Sequence, residues 1–402
     1  MICLPAPAKH TCRSRALLIL AALAAPGCAD RNPQNSPGQS TDRSAQPFPV
    51  IEVLRGDPAQ SFAQADQPRQ FQFPADHGPH NEYRTEWWYF TGNVDNGKDR
   101  RFGYQLTFFR FRPTLKPRGG RSHWRAEQLY MAHLALTDID SQQFHAVERF
   151  SRGAAGLAGA RVGTLHVWLD DWSAAATSAR TFPLRLRAGA DGISLDLSLE
   201  QGKGVVLHGD NGLSVKHAEP GNASYYYSYT RMPTEGHISI ADQTYTVRGN
   251  SWMDREWSSS ALGKDQLGWD WFALQLASDY ELMYYRFRRT DATRDRFSYG
   301  AVVFPDGRVD TLDFDEVELD ILDTWQSPGS AVVYPAAWRL RVPKHELDLN
   351  IRPALAAQEL DLSFRYWEGA VELSGAFGAA AIDGRGYVEL AGYGATAAPR
   401  AR

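Results

Sequence analysis

Hydrophobic and polar positions alternate with a period of two along much of this chain, and helical periodicity is almost absent. The densest stretch is 81–112, NEYRTEWWYFTGNVDNGKDRRFGYQLTFFRFR. Two aromatic-rich runs, 87–94 and 102–111, flank a polar insert at 95–99. Its Asn96-Gly97 pair supplies the positive φ angles of a tight reversal, so the pattern predicts a β-hairpin. Phe102, Tyr104, Leu106 and Phe108 fall on one face of the second run, and Gln105, Thr107, Phe109 and Phe111 on the other. A solvated face would alternate cleanly with charge, and neither face does. The hairpin therefore reads as barrel wall, one face on an outer core and the other lining an aromatic interior for a ligand. A double-layered β core without a ligand fits the same pattern.

Short β-type runs continue at 130–137, 184–188, 193–200, 225–230, 237–240 and 244–248, separated by turns rich in Gly, Asp and Asn. A second half with the same grammar starts near Trp257. There WDWFALQL (269–276), a short insert and ELMYYRFR (281–288) echo the opening hairpin, and both echoes end in Arg-Phe-Arg, at 110–112 and 286–288. Further strands are expected at 301–304, 309–319, 337–342, 346–351, 359–364, 370–374 and 386–391, and fraying is expected from Ala395. The pattern predicts an all-β protein with two related barrels.

The N-terminus has a different character. Lys9, Arg13 and Arg15 precede an apolar run at 16–25, the layout of a secretory signal, and the run is too short to span a bilayer. It ends in Ala25-Pro26-Gly27-Cys28, which resembles a lipobox with Cys28 as the lipidated residue; ordinary signal cleavage near Ala29 is the alternative. The three cysteines are Cys3, Cys12 and Cys28, so cleavage before Cys28 leaves no pairable thiol in the mature chain. Residues 29–48 are rich in Pro, Ser, Asn and Gln and read as a flexible tether. The formal charge of −4 and pI near 6.3 argue against a nucleic-acid partner. Aromatics at 12%, with 12 Trp, suit an apolar ligand.

The chain has no G-x-S-x-G elbow, H-E-x-x-H helix, P-loop or C-x-x-C pair. Its densest polar constellation is RGNSWMDREW at 248–257, with Asp254, Arg255 and Glu256 between Trp252 and Trp257. A carboxyl against aromatic walls tends toward a raised pKa and can protonate an alkene, while indole faces stabilise the cation. A structural Asp–Arg–Glu cluster tying two barrels together is the competing reading. His77, His80 and Glu86 are metal-ligand types in a loop, where capping a barrel mouth is the commoner use. His133 reads as a buried, hydrogen-bonded histidine, with a proton relay as the alternative, and Tyr225–Tyr227 as cavity lining or sheet filler.

Three segments carry a family resemblance: DHGPHNEYRTEWWYFTGNV (76–94), RGNSWMDREWSSSALGKDQLGWDWFALQL (248–276) and YWEGAVELSG (366–375). They resemble the AttH-like "predicted secreted hydrolase" proteins, which belong with the carotenoid 1,2-hydratases in a superfamily of paired lipocalin-like barrels. The resemblance implies two tandem lipocalin-like (calycin-type) antiparallel β-barrels, at 50–256 and 257–395, after a lipoprotein-type signal (1–27) and a flexible linker (28–49). The hydratases add water across a terminal carotenoid double bond without a cofactor, by acid-initiated protonation. That role would fall on Asp254, with Trp252, Trp257 and Trp269 around it. AttH-like members often accompany the permease and ATPase of an ABC exporter.

The expected site joins Asp254 and Glu256 as catalytic carboxyls with Trp252, Trp257, Trp269, Trp271, Tyr83, Glu86, Trp88, Tyr104, His133 and Tyr226 as ligand contacts. No metal or cofactor is expected. The expected function is a periplasmic, membrane-anchored lipoprotein acting on or binding an isoprenoid or lipid, as a hydratase-like enzyme. The alternative is a non-catalytic lipid-binding accessory of an ABC transporter.

Overall fold

The expected hairpin forms, but through the loop 96–100, where only Gly97 of the Asn96-Gly97 pair has a positive φ. Gly97 takes φ +69°, and the Asp95 and Asn96 side chains accept backbone hydrogen bonds from the turn. It joins β1 (Thr85–Asp95) to β2 (Arg101–Phe111), paired in unbroken register from Thr85↔Phe111 to Asp95↔Arg101. The structure, a computed structural model, describes residues 62–114 and 127–394. The signal and lipobox at 1–28, the linker and the tail from Ala395 lie outside the described residues.

The first sheet continues with β3 (Leu129–Asp138), β4 (Gln143–Arg152), β5 (Ala158–Ala160), β6 (His166–Leu169), β7 (Trp172–Ala176), β8 (Leu184–Ala190) and β9 (Ile193–Leu199). The short β10 (Val206–Leu207) and β11 (Leu213–Val215) precede two 18-residue strands, β12 (Ala223–Ile240) and β13 (Gln243–Ser260). The strand order β4-β3-β2-β1-β13-β12-β9-β8-β7-β6-β5 is an up-and-down meander in which the last strand returns to the first. Runs read separately at 225–230 and 237–240 are one strand here, carried past Pro233 by a bulge between Tyr229 and Met232.

The second sheet repeats this plan with β14 (Gln266–Leu276), β15 (Glu281–Arg289), β16 (Tyr299–Val303), β17 (Val309–Leu312), β18 (Glu318–Gln326), β19 (Val333–Val342), β20 (Leu347–Pro353), β21 (Glu359–Asp361), β22 (Arg365–Phe377) and β23 (Ala380–Ala391). Its order is β17-β16-β15-β14-β23-β22-β20-β19-β18, again with last strand beside first. All pairings within named strands are antiparallel, giving one nearly closed barrel and one half-barrel, the tandem lipocalin-like architecture. The expected run 309–319 is interrupted, because Glu316 turns back to accept from the backbone of Asp313.

The repeated Arg-Phe-Arg has a physical meaning. Glu86 faces Arg110 across β1/β2, and Asp270 faces Arg286 across β14/β15, and both pairs are ion pairs whose carboxylates are fully buried. The intervening Phe111 and Phe287 point to the opposite face, toward the other barrel.

Each barrel interior is filled by side chains. Trp88, Phe90, Phe102, Tyr104, Leu106 and Phe108 pack inside the first with residues of β3 and β6–β13. Phe272, Leu274, Tyr284, Trp338 and Trp367 anchor the second. The barrels meet through β1 and β2 against β22 and β23, so closely at one point that a Cβ on Gly103 would lie 2.5 Å from that of Ala370. A third apolar cluster, including Tyr89, Tyr226, Trp252, Trp271, Tyr285 and Phe287, occupies this junction. The ligand space anticipated inside a barrel therefore lies elsewhere. Filled interiors push it between the two barrels.

Candidate functional site

Strand alternation decides which side chains reach that space. Along β13, Trp252, Asp254 and Glu256 point to the junction, whereas Met253, Arg255 and Trp257 point into the first barrel. Along β1, Trp87 and Tyr89 face the junction while Glu86, Trp88 and Phe90 face inward. The register sets Tyr89 opposite Asp254 on one side of β13 and Ser228 opposite it on the other. The second barrel contributes Trp269, Trp271, Tyr285, Phe287, Glu368 and Glu389, with Glu368 and Glu389 directly paired across β22/β23. With Trp87, Tyr89, Asp254 and Glu256 of the first barrel, these side chains line a cavity of about 110 Å³.

Asp254 sits in its wall, 4% exposed. Tyr226 Oη donates to its Oδ2 at 2.5 Å; Ser228 Oγ and Trp252 Nε1 donate to Oδ1 at 2.5 and 2.6 Å. Trp271 Nε1 donates to Tyr226 Oη at 3.2 Å, and His208 Nε2 is 2.7 Å from Ser228 Oγ. Burial raises the Asp254 pKa to about 7, with the nearby Glu256 adding to the rise and the three donors opposing it. Burial drives the Glu389 carboxyl up to about 8 against a hydrogen bond with Trp269, and nearby Asp254 and Glu256 push the same way. Glu368 is held well above the ordinary range by burial and by Glu389, although Tyr89 donates a hydrogen bond to it. Three carboxyls around one apolar space are thus biased toward the protonated form.

The fourth carboxyl, Glu256, has a cation beside it: Lys216 Nζ lies 3.4 Å from its Oε1. Burial works against the Lys216 charge, but Glu256 and Tyr285 outweigh it and raise the Lys216 pKa. Its Nζ lies 4.2 Å from the Tyr285 ring centroid. On the far wall His133 is fully buried, its Nδ1 2.7 Å from Tyr366 Oη, and burial pulls its pKa down to about 3.

Of the residues expected from sequence, Asp254, Glu256, Trp269, Trp271, His133 and Tyr226 line the cavity, and Trp252 supports it through Asp254. Trp257, Trp88, Tyr104, Tyr83 and Glu86 belong to the first barrel instead. Trp257 stacks on His80 with centroids 3.7 Å apart, and Tyr104 is hydrogen-bonded to Ser251. Glu86 is clasped by Arg110 and by Arg255 at 2.5 Å, which holds its carboxylate far below the usual range despite burial. Arg255 also lies 3.9 Å above the Trp88 ring. Part of the Asp–Arg–Glu cluster is therefore structural, and its two carboxyls face the other way. Of the loop residues, His77 Nδ1 is 2.6 Å from Tyr227 Oη and His80 Nε2 is 3.1 Å from Asp76. Sequence reasoning missed Tyr89, Gln105, Lys216, Glu368 and Glu389. Glu368 carried one signal, a lone carboxyl in the otherwise apolar run YWEGAV.

A tandem lipocalin-like scaffold with a carboxyl-lined cavity at the barrel junction defines a recognisable class. The chain belongs to the AttH-like family, which matches residues 64–393. A protein of Nitrosomonas europaea described as a candidate AttH is 32% identical, with a TM-score of 0.73 over 83% of this chain and 100% of that one. Kievitone hydratase of Nectria haematococca shares the fold at 15% identity, with a TM-score of 0.63 over 85% of this chain and 98% of that one. CghA, in a structure with Sch210972, shares it at 15% identity, with a TM-score of 0.53 over 84% and 97%. No curated protein matches the chain.

Proposed function

We propose that this protein is a cofactor-independent enzyme that protonates a carbon–carbon double bond of an apolar substrate, in a hydration or related cation-forming step. One observation carries this reading: Asp254, buried in the wall of a cavity it shares with Tyr89, Tyr226, Trp269 and Trp271, is biased toward its neutral acid form near neutral pH. Its proton passes to one alkene carbon, and the other carbon becomes cationic. Tyr89, Trp269 and Trp271 line the cavity beside Asp254 and supply aromatic surface that stabilises such a charge. Water adds to the cation, and the proton it loses returns to the Asp254 carboxylate, so that alkene and water give an alcohol. Tyr226, Ser228 and Trp252 fix the carboxyl and stabilise the ion it leaves. A hydratase among the structural neighbours agrees with this chemistry. A container for lipid alone has no need of three buried carboxyls, each costly to ionise there.

The test is a panel of isoprenoid alkenes incubated with the protein in ¹⁸O-labelled water, with products read by mass spectrometry. Labelled alcohol from the wild type and none from Asp254→Asn supports the reading. Equal turnover by both proteins removes Asp254 from the chemistry. The signal-like segment ending at Cys28 supports a second part of the proposal, that the mature protein is a periplasmic lipoprotein in reach of a membrane transporter. Failure of the protein to incorporate labelled fatty acid at Cys28 refutes that part.

A further inference from the structure

Two polar side chains in the cavity wall, Gln105 and Glu368, take no part in the acid step. Gln105 on β2 is fully buried, and its Nε2 donates to Thr107 Oγ1 at 2.5 Å and lies 3.5 Å from Tyr366 Oη. Its Oε1 has no hydrogen-bond partner among the described residues. Glu368, also fully buried, accepts from Tyr89 on one carboxyl oxygen and leaves Oε2 without a partner. His133 closes the same patch through Tyr366. These side chains all line the cavity, and they come from four strands of both barrels.

Buried amides and carboxyls are ordinarily paired, because an unpaired one loses its hydration with nothing in return. Facing a pure hydrocarbon, Gln105 Oε1 and Glu368 Oε2 would stay unpaired in the complex as well. Their chemistry is complementary to one kind of partner. An amide oxygen accepts a hydrogen bond, and a carboxyl held in its acid form offers a proton from Oε2. A hydroxyl group donates to the first and accepts from the second.

We propose that Gln105 and Glu368, supported by Tyr89, Thr107, Tyr366 and His133, form an oxygen-recognising subsite, and that the ligand is an apolar skeleton bearing a hydroxyl group rather than a hydrocarbon chain. This rests on the reading of the junction cavity as a ligand site and names the substrate class for it. The acid at Asp254 and the hydroxyl subsite then define two fixed points. A substrate anchored by its oxygen presents its double bond to the carboxyl in one orientation, the positioning on which rate depends.

The test is binding, read by quenching of the cavity tryptophans, with matched probes: p-cymene, thymol and thymol methyl ether, and limonene against α-terpineol. The hydroxylated probes are expected to bind about tenfold tighter or more than the hydrocarbons, and the methyl ether to lose most of that gain. Glu368→Gln keeps a donor and is expected to retain the preference, whereas Glu368→Met and Gln105→Met are expected to erase it. Hydrocarbons binding as tightly as their alcohols to the wild type overturn the proposal, and so does a panel in which no hydroxylated probe binds. Asp254→Asn separates the two readings. A hydroxyl preference without turnover in any protein leaves the subsite standing and removes the acid step. Turnover lost in Asp254→Asn, with no hydroxyl preference in the wild type, does the reverse.

Discussion

Replacing Asp254 by Asn should flatten the pH dependence of stability as well as stop turnover. The folded protein holds this carboxyl to about pH 7, against an ordinary 3.8. Between those values the native state binds a proton that the unfolded chain has released, so stability falls as pH rises. The stabilising contribution is fully present below the unfolded value and is lost as pH passes through the folded one. At 1.36 kcal/mol per unit, the wild type gives up about 4 kcal/mol from this group by pH 8, and about 3 kcal/mol of it between pH 5 and pH 8. Asparagine is nearly isosteric, cannot ionise, and its amide oxygen still accepts from Ser228 and Trp252. Urea unfolding of both proteins at pH 5 and pH 8 measures the difference. Asp254→Asn should gain about 3 kcal/mol on the wild type over that interval. Parallel stability curves would refute the reasoning, since they mean that Asp254 ionises as freely folded as unfolded. A variant that fails to fold at either pH would assign the carboxyl to the scaffold.

Other perturbations probe separate parts of the structure. Tyr226→Phe removes a donor that holds the Asp254 pKa down, so the alkaline limb of the pH–rate profile should move to higher pH while the protein remains folded. Glu86→Gln leaves Arg110 and Arg255 buried without their shared counter-charge, and denaturant unfolding should show a loss of about 3–5 kcal/mol. Gly103→Val should drive the barrels apart at Ala370, seen as increased exposure of the junction tryptophans to acrylamide quenching with little change in strand content. Lys216→Met breaks a buried ion pair by removing the cation beside Glu256, and denaturant unfolding should show a loss of about 3–5 kcal/mol.

Much of this fold was legible because a β-strand writes its two faces at alternate positions. The opening hairpin, its echo at 269–288 and both Arg-Phe-Arg triplets could be read directly, and each triplet proves to hold a buried cross-strand ion pair. The same alternation separates Asp254 and Glu256 from Arg255 and Trp257. Grouping them as one constellation crossed two faces of a single strand. Trp88 and Tyr104 were drawn into the site for the same reason: aromatic residues fill the barrel as well as lining the junction. The position of the cavity was not legible. It depends on two filled barrels packing face to face, and no local period records that Glu389 comes to lie within electrostatic reach of Asp254, 135 positions earlier in the chain. Gln105, in the aromatic-rich run FGYQLTFF, and Lys216 show their role only once the second barrel covers them.

The central claim is that Asp254 is an acid in its protonated form near neutral pH, and a carbon-13 NMR titration of the protein labelled at aspartate carboxyls tests it most directly. The account expects one aspartate resonance titrating near pH 7, absent from Asp254→Asn. A wild-type spectrum in which every aspartate is ionised by pH 5 would contradict it.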